Sequence, residues 1–177
     1  MNGASTGRVL VLNGTSSAGK TSLAKALQTV LPEAHLHVQL NAFRDMEPPG
    51  YWKDLDPATS ELRIEALCRA MHAAVAAHAR HGQHVIFDTV LDRASVARYF
   101  EEDLRPLAPL LIGVTCAIDE LERREQARGD RPLGLARRQA AFIHEGRAYD
   151  FSVDTTSTSP EQSAVVVLQW LEQLRSP

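Results

Sequence analysis

Gly14-Thr15-Ser16-Ser17-Ala18-Gly19-Lys20-Thr21 decides how the chain is read. It follows an apolar run, Val9-Leu10-Val11-Leu12, and leads into a helical pattern. The spacing fits G-x-x-x-x-G-K-[ST], a loop whose backbone amides cradle phosphate. Its glycines permit positive-φ turns without a Cβ clash, the successive N–H groups form an anion nest, and the helix that follows adds the positive end of its dipole. Gly14, Thr15, Ser16, Ser17, Ala18, Gly19, Lys20, Thr21 and Ser22 are therefore the candidate nucleotide contacts. Lys20 is placed to reach the β- and γ-phosphates of ATP, and the Thr21 hydroxyl to ligate Mg²⁺.

Working outward, Arg8–Asn13 is a continuous apolar strand of the kind buried on both faces of a parallel sheet. Gly19–Leu31 is a helix that Pro32 ends. His35–Leu40 alternates, with Leu36, Val38 and Leu40 on its apolar face, as an edge strand would. Ala58–His81 is a helix closed by Gly82. His84–Val90 and Pro109–Cys116 are further buried strands, and Asp92–Leu104, Ile118–Arg128 and Gly134–Gly146 are helical. Asp150–Asp154 is a second edge strand, and Ser159-Pro160-Glu161-Gln162 starts the last helix with a capping box. Five strands alternating with helices predict a parallel α/β sheet, a P-loop NTPase three-layer sandwich with helices on both faces. The order 2-3-1-4-5 puts the buried strands inside and the P-loop on the central one, with ligands at the carboxyl ends of the strands.

The 177 residues predict one domain spanning 1–177, with a candidate acceptor loop near 41–57 and an arginine-rich segment near 123–134. A net charge of −3 gives no basic footprint for nucleic acid. Cys68 and Cys116 lie inside apolar patterns and read as reduced core residues of a cytoplasmic protein. No signal peptide and no membrane span is expected, because no apolar run is long enough. The oligomeric state is not encoded in any pattern.

Asp88 closes the third strand and reads as the Walker B carboxylate beside Mg²⁺. Arg124 and Arg128 share a helix face, and Arg131 lies in the turn beyond. Guanidinium groups so placed either stabilise a phosphoryl group in transfer or form surface pairs with the interleaved glutamates. The segment from Asn41 to Pro57 reads as a long loop with room for one helical turn. Its large side chains either contact an acceptor or cap the core. Asn41, Phe43, Asp45, Tyr51 and Trp52 from this segment, with Asp92, are the candidate acceptor contacts. His144-Glu145 either approaches the nucleotide or faces water, and its pattern favours water.

With these motifs in place, the chain resembles the chloramphenicol phosphotransferase family of P-loop kinases. The likeness rests on Leu12 to Thr21, on the Val85–Asp88 strand, and on Ala127-Arg128-Gly129-Asp130-Arg131. It rests also on His144-Glu145-Gly146, Tyr149-Asp150 and Val153-Asp154-Thr155-Thr156. The resemblance implies ATP-dependent phosphorylation of a small-molecule hydroxyl, with Arg124, Arg128 and Arg131 as a lid over the phosphates. It implies a catalytic set of Lys20, Asp88 and those three arginines. One departure stands out: the family has an aspartate as base at the end of its second strand, and this chain reads Gln39-Leu40-Asn41. Leu40 and Asn41 cannot take a proton. Asp88, Asp45 or Asp92 then serves, or the acceptor is held differently, or the loose transition state needs little base catalysis. The expected acceptor is an antibiotic. The alternatives are a metabolite, sugar or nucleotide-sugar alcohol, or a nucleotide-binding switch without small-molecule turnover, although no N-K-x-D motif marks a GTPase.

Overall fold

The computed structural model describes residues 5–129 and 133–174. Five strands form one parallel sheet: β1 (Val9–Asn13), β2 (His35–Gln39), β3 (His84–Thr89), β4 (Leu110–Thr115) and β5 (Phe151–Asp154). Their order is β2-β3-β1-β4-β5. The register pairs Asn13 with Thr89 and with Gly113, and Gln39 with Asp88, so the carboxyl ends of the three strands that carry the site are level.

Alternation along β1 divides the core. Leu10 and Leu12 face one layer with Leu23 and Leu27 of α1 (Lys20–Val30) and Val167 and Leu171 of α7 (Pro160–Gln173). Val9 and Val11 face the other layer with Met71 and Val75 of α3 (Pro57–Arg80) and Val96 of α4 (Ala94–Tyr99). Because both faces of β1 are covered, its residues can be apolar throughout. Each of these side chains adds about 1.5–3 kcal/mol by leaving water.

The helix boundaries have local causes. Leu31 is extended ahead of Pro32 and ends α1. Asp56 caps α3 by accepting from the amides of Ala58 and Thr59 at 2.9 and 3.0 Å, with Pro57 at the first helical position. Ser159 and Gln162 close a reciprocal capping box on α7.

The segment after β2 begins with the helical turn expected there, α2 (Leu40–Arg44), which starts one residue earlier, at Leu40. Three details depart from expectation. The helix expected over Asp92–Leu104 is α4 followed by a π-helical turn, Phe100–Leu104, and a 3₁₀ turn, Arg105–Leu107. The helix expected to Gly146 is α6 (Leu135–Ala140), after which tight turns bond Phe142 to Gln139 and Glu145 to Phe142. On β2, Leu36 is 38 % exposed while His35 is buried, stacked on His84 with ring centroids 5.0 Å apart. The edge position leaves Leu36 without a covering helix, whereas His35 has both a ring neighbour and the Glu33 carbonyl at 2.7 Å.

Candidate active site

The P-loop differs in its backbone from the simplest reading of its glycines. Gly19 takes φ 85° and caps α1, but the other positive φ belongs to Ser17, at 63°. Gly14 serves close packing: a Cβ there would lie 2.3 Å from the Val114 carbonyl oxygen. Lys20 is buried and donates to the carbonyls of Gly14 and Thr15 at 2.9 and 2.8 Å, which closes the loop on itself. The amide of Ser16 donates to Gln139 Oε1 at 2.7 Å, so a neutral side-chain oxygen sits on this donor of the nest.

Thr21, at the start of α1, meets Asp88, near the end of β3. Its hydroxyl donates to Asp88 Oδ2 at 2.6 Å and approaches Gln39 Oε1 at 3.3 Å. His37 Nε2 lies 3.6 Å from the same carboxylate oxygen. Burial pushes the Asp88 pKa up, but His37, the Lys20 charge and the Thr21 bond outweigh it and leave the carboxyl below its ordinary value. Asp88 is therefore ionised at neutral pH. A buried carboxylate beside a hydroxyl is a hard oxygen pair that suits Mg²⁺, whose remaining ligands are usually phosphate and water.

Helix α5 (Ile118–Arg128) carries the arginines. Arg124 is fixed by Glu120 at 2.7 Å and by the Thr155 carbonyl at 2.6 Å. The Thr155 hydroxyl in turn donates to the Ala18 carbonyl at 2.8 Å, which ties Arg124 to the P-loop. Bonds from Arg123 and Arg124 hold the Glu120 carboxyl down at about 2. Glu125, fully buried, accepts from the amides of Gly134 and Ala136 at 2.6 and 2.9 Å and so anchors the start of α6 to α5. Arg131 lies outside the described residues.

A cavity of about 680 Å³ runs across the carboxyl ends of the strands, a size usual for small-molecule sites. At one end are Ser16, Ser17, Gly19, Lys20, Thr21 and Ser22, with Asp88, Arg123, Arg124 and Arg128. At the other are Gln39, Leu40, Asn41, Arg44, Asp92 and Arg93, against an apolar wall of Ile64, Cys68 and Met71. Burial pushes the Cys68 thiol up to about 11, so it is an uncharged part of that wall. Gln139 joins the two ends: its Nε2 donates to Asp92 Oδ2 at 2.9 Å while its oxygen holds Ser16.

The structure thus brings together Lys20, Thr21, Ser22, Asp88, Arg124, Arg128, Asn41 and Asp92. It does not bring Phe43, Asp45, Tyr51 or Trp52 to the cavity wall. Phe43 packs against the α3 face of the core, and Asp45 is exposed. Tyr51 stands edge-on to Trp52, and Trp52 lies beneath the Arg44 guanidinium at 4.4 Å. Gly14, Thr15 and Ala18 form the loop without lining the cavity. His144 turns inward to the Tyr149 hydroxyl at 2.8 Å, whereas Glu145 is exposed. Arg44, Arg93, Gln139 and His37 line or approach the site without a motif to mark them.

Comparison with known proteins agrees with this geometry. The profile of the family described as chloramphenicol phosphotransferase-like protein matches residues 7–172. A protein of Mycobacterium tuberculosis strain H37Rv, provisionally named O-phosphotransferase Rv2636, is 33 % identical, with 93 % of this chain and 82 % of its own length covered. Among solved structures, a provisionally assigned kinase from Chloroflexus aurantiacus superposes with a TM-score of 0.71 at 23 % identity, covering 97 % of each chain. Shikimate kinase from Acinetobacter baumannii superposes at 0.69 with 12 % identity and the same coverage. These structural likenesses establish the P-loop kinase fold.

Proposed function

We propose that this chain, which belongs to the chloramphenicol phosphotransferase-like family, transfers the γ-phosphoryl group of ATP to a hydroxyl of a small molecule. The observation that carries the proposal is one cavity that is lined by a P-loop lysine, an ionised strand-end aspartate and the α5 arginines and extends to polar and apolar side chains of α2 and α3. Lys20 leaves its carbonyl partners for the β- and γ-phosphates, and the nest amides take the rest of the anion. Thr21 and Asp88 would hold Mg²⁺, which offsets charge on the phosphates. Arg124 and Arg128 face the transferring group as planar donors. Asp92 takes the acceptor's proton: it lines the cavity, Gln139 fixes its orientation, and Asp88 is already engaged by Thr21. Asp45 is excluded from this role by its exposure.

The acceptor class is a hydroxylated antibiotic or a metabolite alcohol. The Gln39-Leu40-Asn41 stretch and the charged side chains beyond it favour an acceptor other than chloramphenicol. An ADP-release screen across antibiotics, sugars, nucleosides and hydroxy acids, followed by mass spectrometry of the product, tests the proposal. A phosphorylated alcohol formed by the native chain and not by Lys20→Ala is the expected result. ADP release by Lys20→Ala at the native rate would overturn the assignment.

A further inference from the structure

Charge matching in the acceptor half of the cavity is incomplete at one place. Arg93 pairs with Glu61 and lies 3.7 Å from Asp92. Nearby Arg63 pairs with Glu47. Arg44 lines the cavity yet has no ion-pair partner among the described residues, and its Nε–H is buried without a hydrogen-bond acceptor. Its Cζ lies over Trp52, 4.4 Å from the ring centroid, and the Trp52 Nε1–H is likewise buried and unpartnered. Two donor-only groups in that state cost free energy unless something completes them. A guanidinium pre-oriented on an aromatic face is also a ready receptor for a planar oxyanion, because little side-chain entropy remains to be lost.

We infer that the acceptor is an anion: besides its reacting hydroxyl it bears a carboxylate or phosphate-monoester group that Arg44 grips, while its carbon body rests on Ile64, Cys68 and Met71. The inference rests on the kinase reading of the cavity. One negative charge on the ligand neutralises Arg44, a cavity-lining cation with no ion-pair partner among the described residues. Aminated, cationic acceptors would meet Arg44 and Arg93 as like charges.

The test uses fluorine NMR of the whole chain with MgADP bound. The probes are para-trifluoromethylbenzoate, the corresponding benzamide and para-trifluoromethylphenyl phosphate. Tighter binding of either anion than of the amide supports the inference, and whichever anion binds better names the oxyanion. Arg44→Gln is expected to weaken the favoured anion by at least about tenfold while MgADP affinity is retained, and Arg44→Lys to recover part of it. Equal binding of amide and anions, or anion binding unchanged in Arg44→Gln, overturns the inference. So does a parallel loss of MgADP affinity in Arg44→Gln, which would assign Arg44 to the nucleotide. Failure of the native chain to bind MgADP at all would instead overturn the kinase reading, a separate outcome.

Discussion

The Thr21 hydroxyl and the Asp88 carboxylate are 2.6 Å apart, one from the helix after the P-loop and the other from the neighbouring strand β3. The bond depends on the β1–β3 register, which sets Leu12 beside Asp88. Asp88→Asn keeps the shape and removes the charge. The gain in nucleotide affinity on adding Mg²⁺ is then expected to vanish, and turnover to fall by about a hundredfold or more. Titration of ATP with and without Mg²⁺ checks this.

Gln139 touches both the nest and Asp92. Gln139→Glu would place a carboxylate on the Ser16 amide and against Asp92, where it competes with phosphate and repels its neighbour. MgATP affinity is expected to drop about tenfold by calorimetry. Gln139→Met, which frees the amide, should change it far less. Equal affinities for native and Gln139→Glu protein would remove Gln139 from the site.

Glu125 holds two backbone amides of the residues entering α6. Glu125→Ala leaves the buried Ala136 amide and the part-buried Gly134 amide without a partner. A loss of about 2–4 kcal/mol in urea unfolding is expected, because each unsatisfied buried group costs about 1–3 kcal/mol. Since α6 carries Gln139, MgATP binding should weaken in the same variant.

His72 supplies a pH dependence. It is fully buried on α3, with Nδ1 2.8 Å from the Cys68 carbonyl oxygen and its ring edge-on to Phe87. Burial lowers its pKa from 6.5, and His35 is lowered for the same reason. The unfolded chain therefore binds more protons than the folded one just below that value. Stability is complete above pH 6.5 and falls as pH drops through the interval below it. Urea midpoints across this interval should show the decline, and His72→Gln should flatten the slope by up to about 1.4 kcal/mol per pH unit.

Much of the architecture was legible because local and global signals agree. Val9–Leu12 and Val85–Phe87 are apolar without interruption, which only a doubly covered strand tolerates, and from them the strand order follows. The Ser159 capping box and the Pro32 stop act within a few residues, so the sequence carries them whole. Other features depend on distant partners. Gln139 reaches Ser16 across the fold, and no spacing announces that. His72 sits at an apolar position of the α3 stripe but reads as polar. The aromatic residues of the 41–57 segment looked like acceptor contacts, yet Phe43 fills core and Trp52 serves as a platform for Arg44. The difference is one of direction, which periodicity does not specify in irregular backbone.

Every step of the proposed transfer depends on one grip, that of the loop from Gly14 to Thr21 on a magnesium-bound triphosphate. Equilibrium calorimetry of the folded chain with MgATP tests it most directly. Saturable one-to-one binding that is lost in Lys20→Ala is the expected result. No heat of binding for native protein that is demonstrably folded, or identical binding by Lys20→Ala, would contradict it.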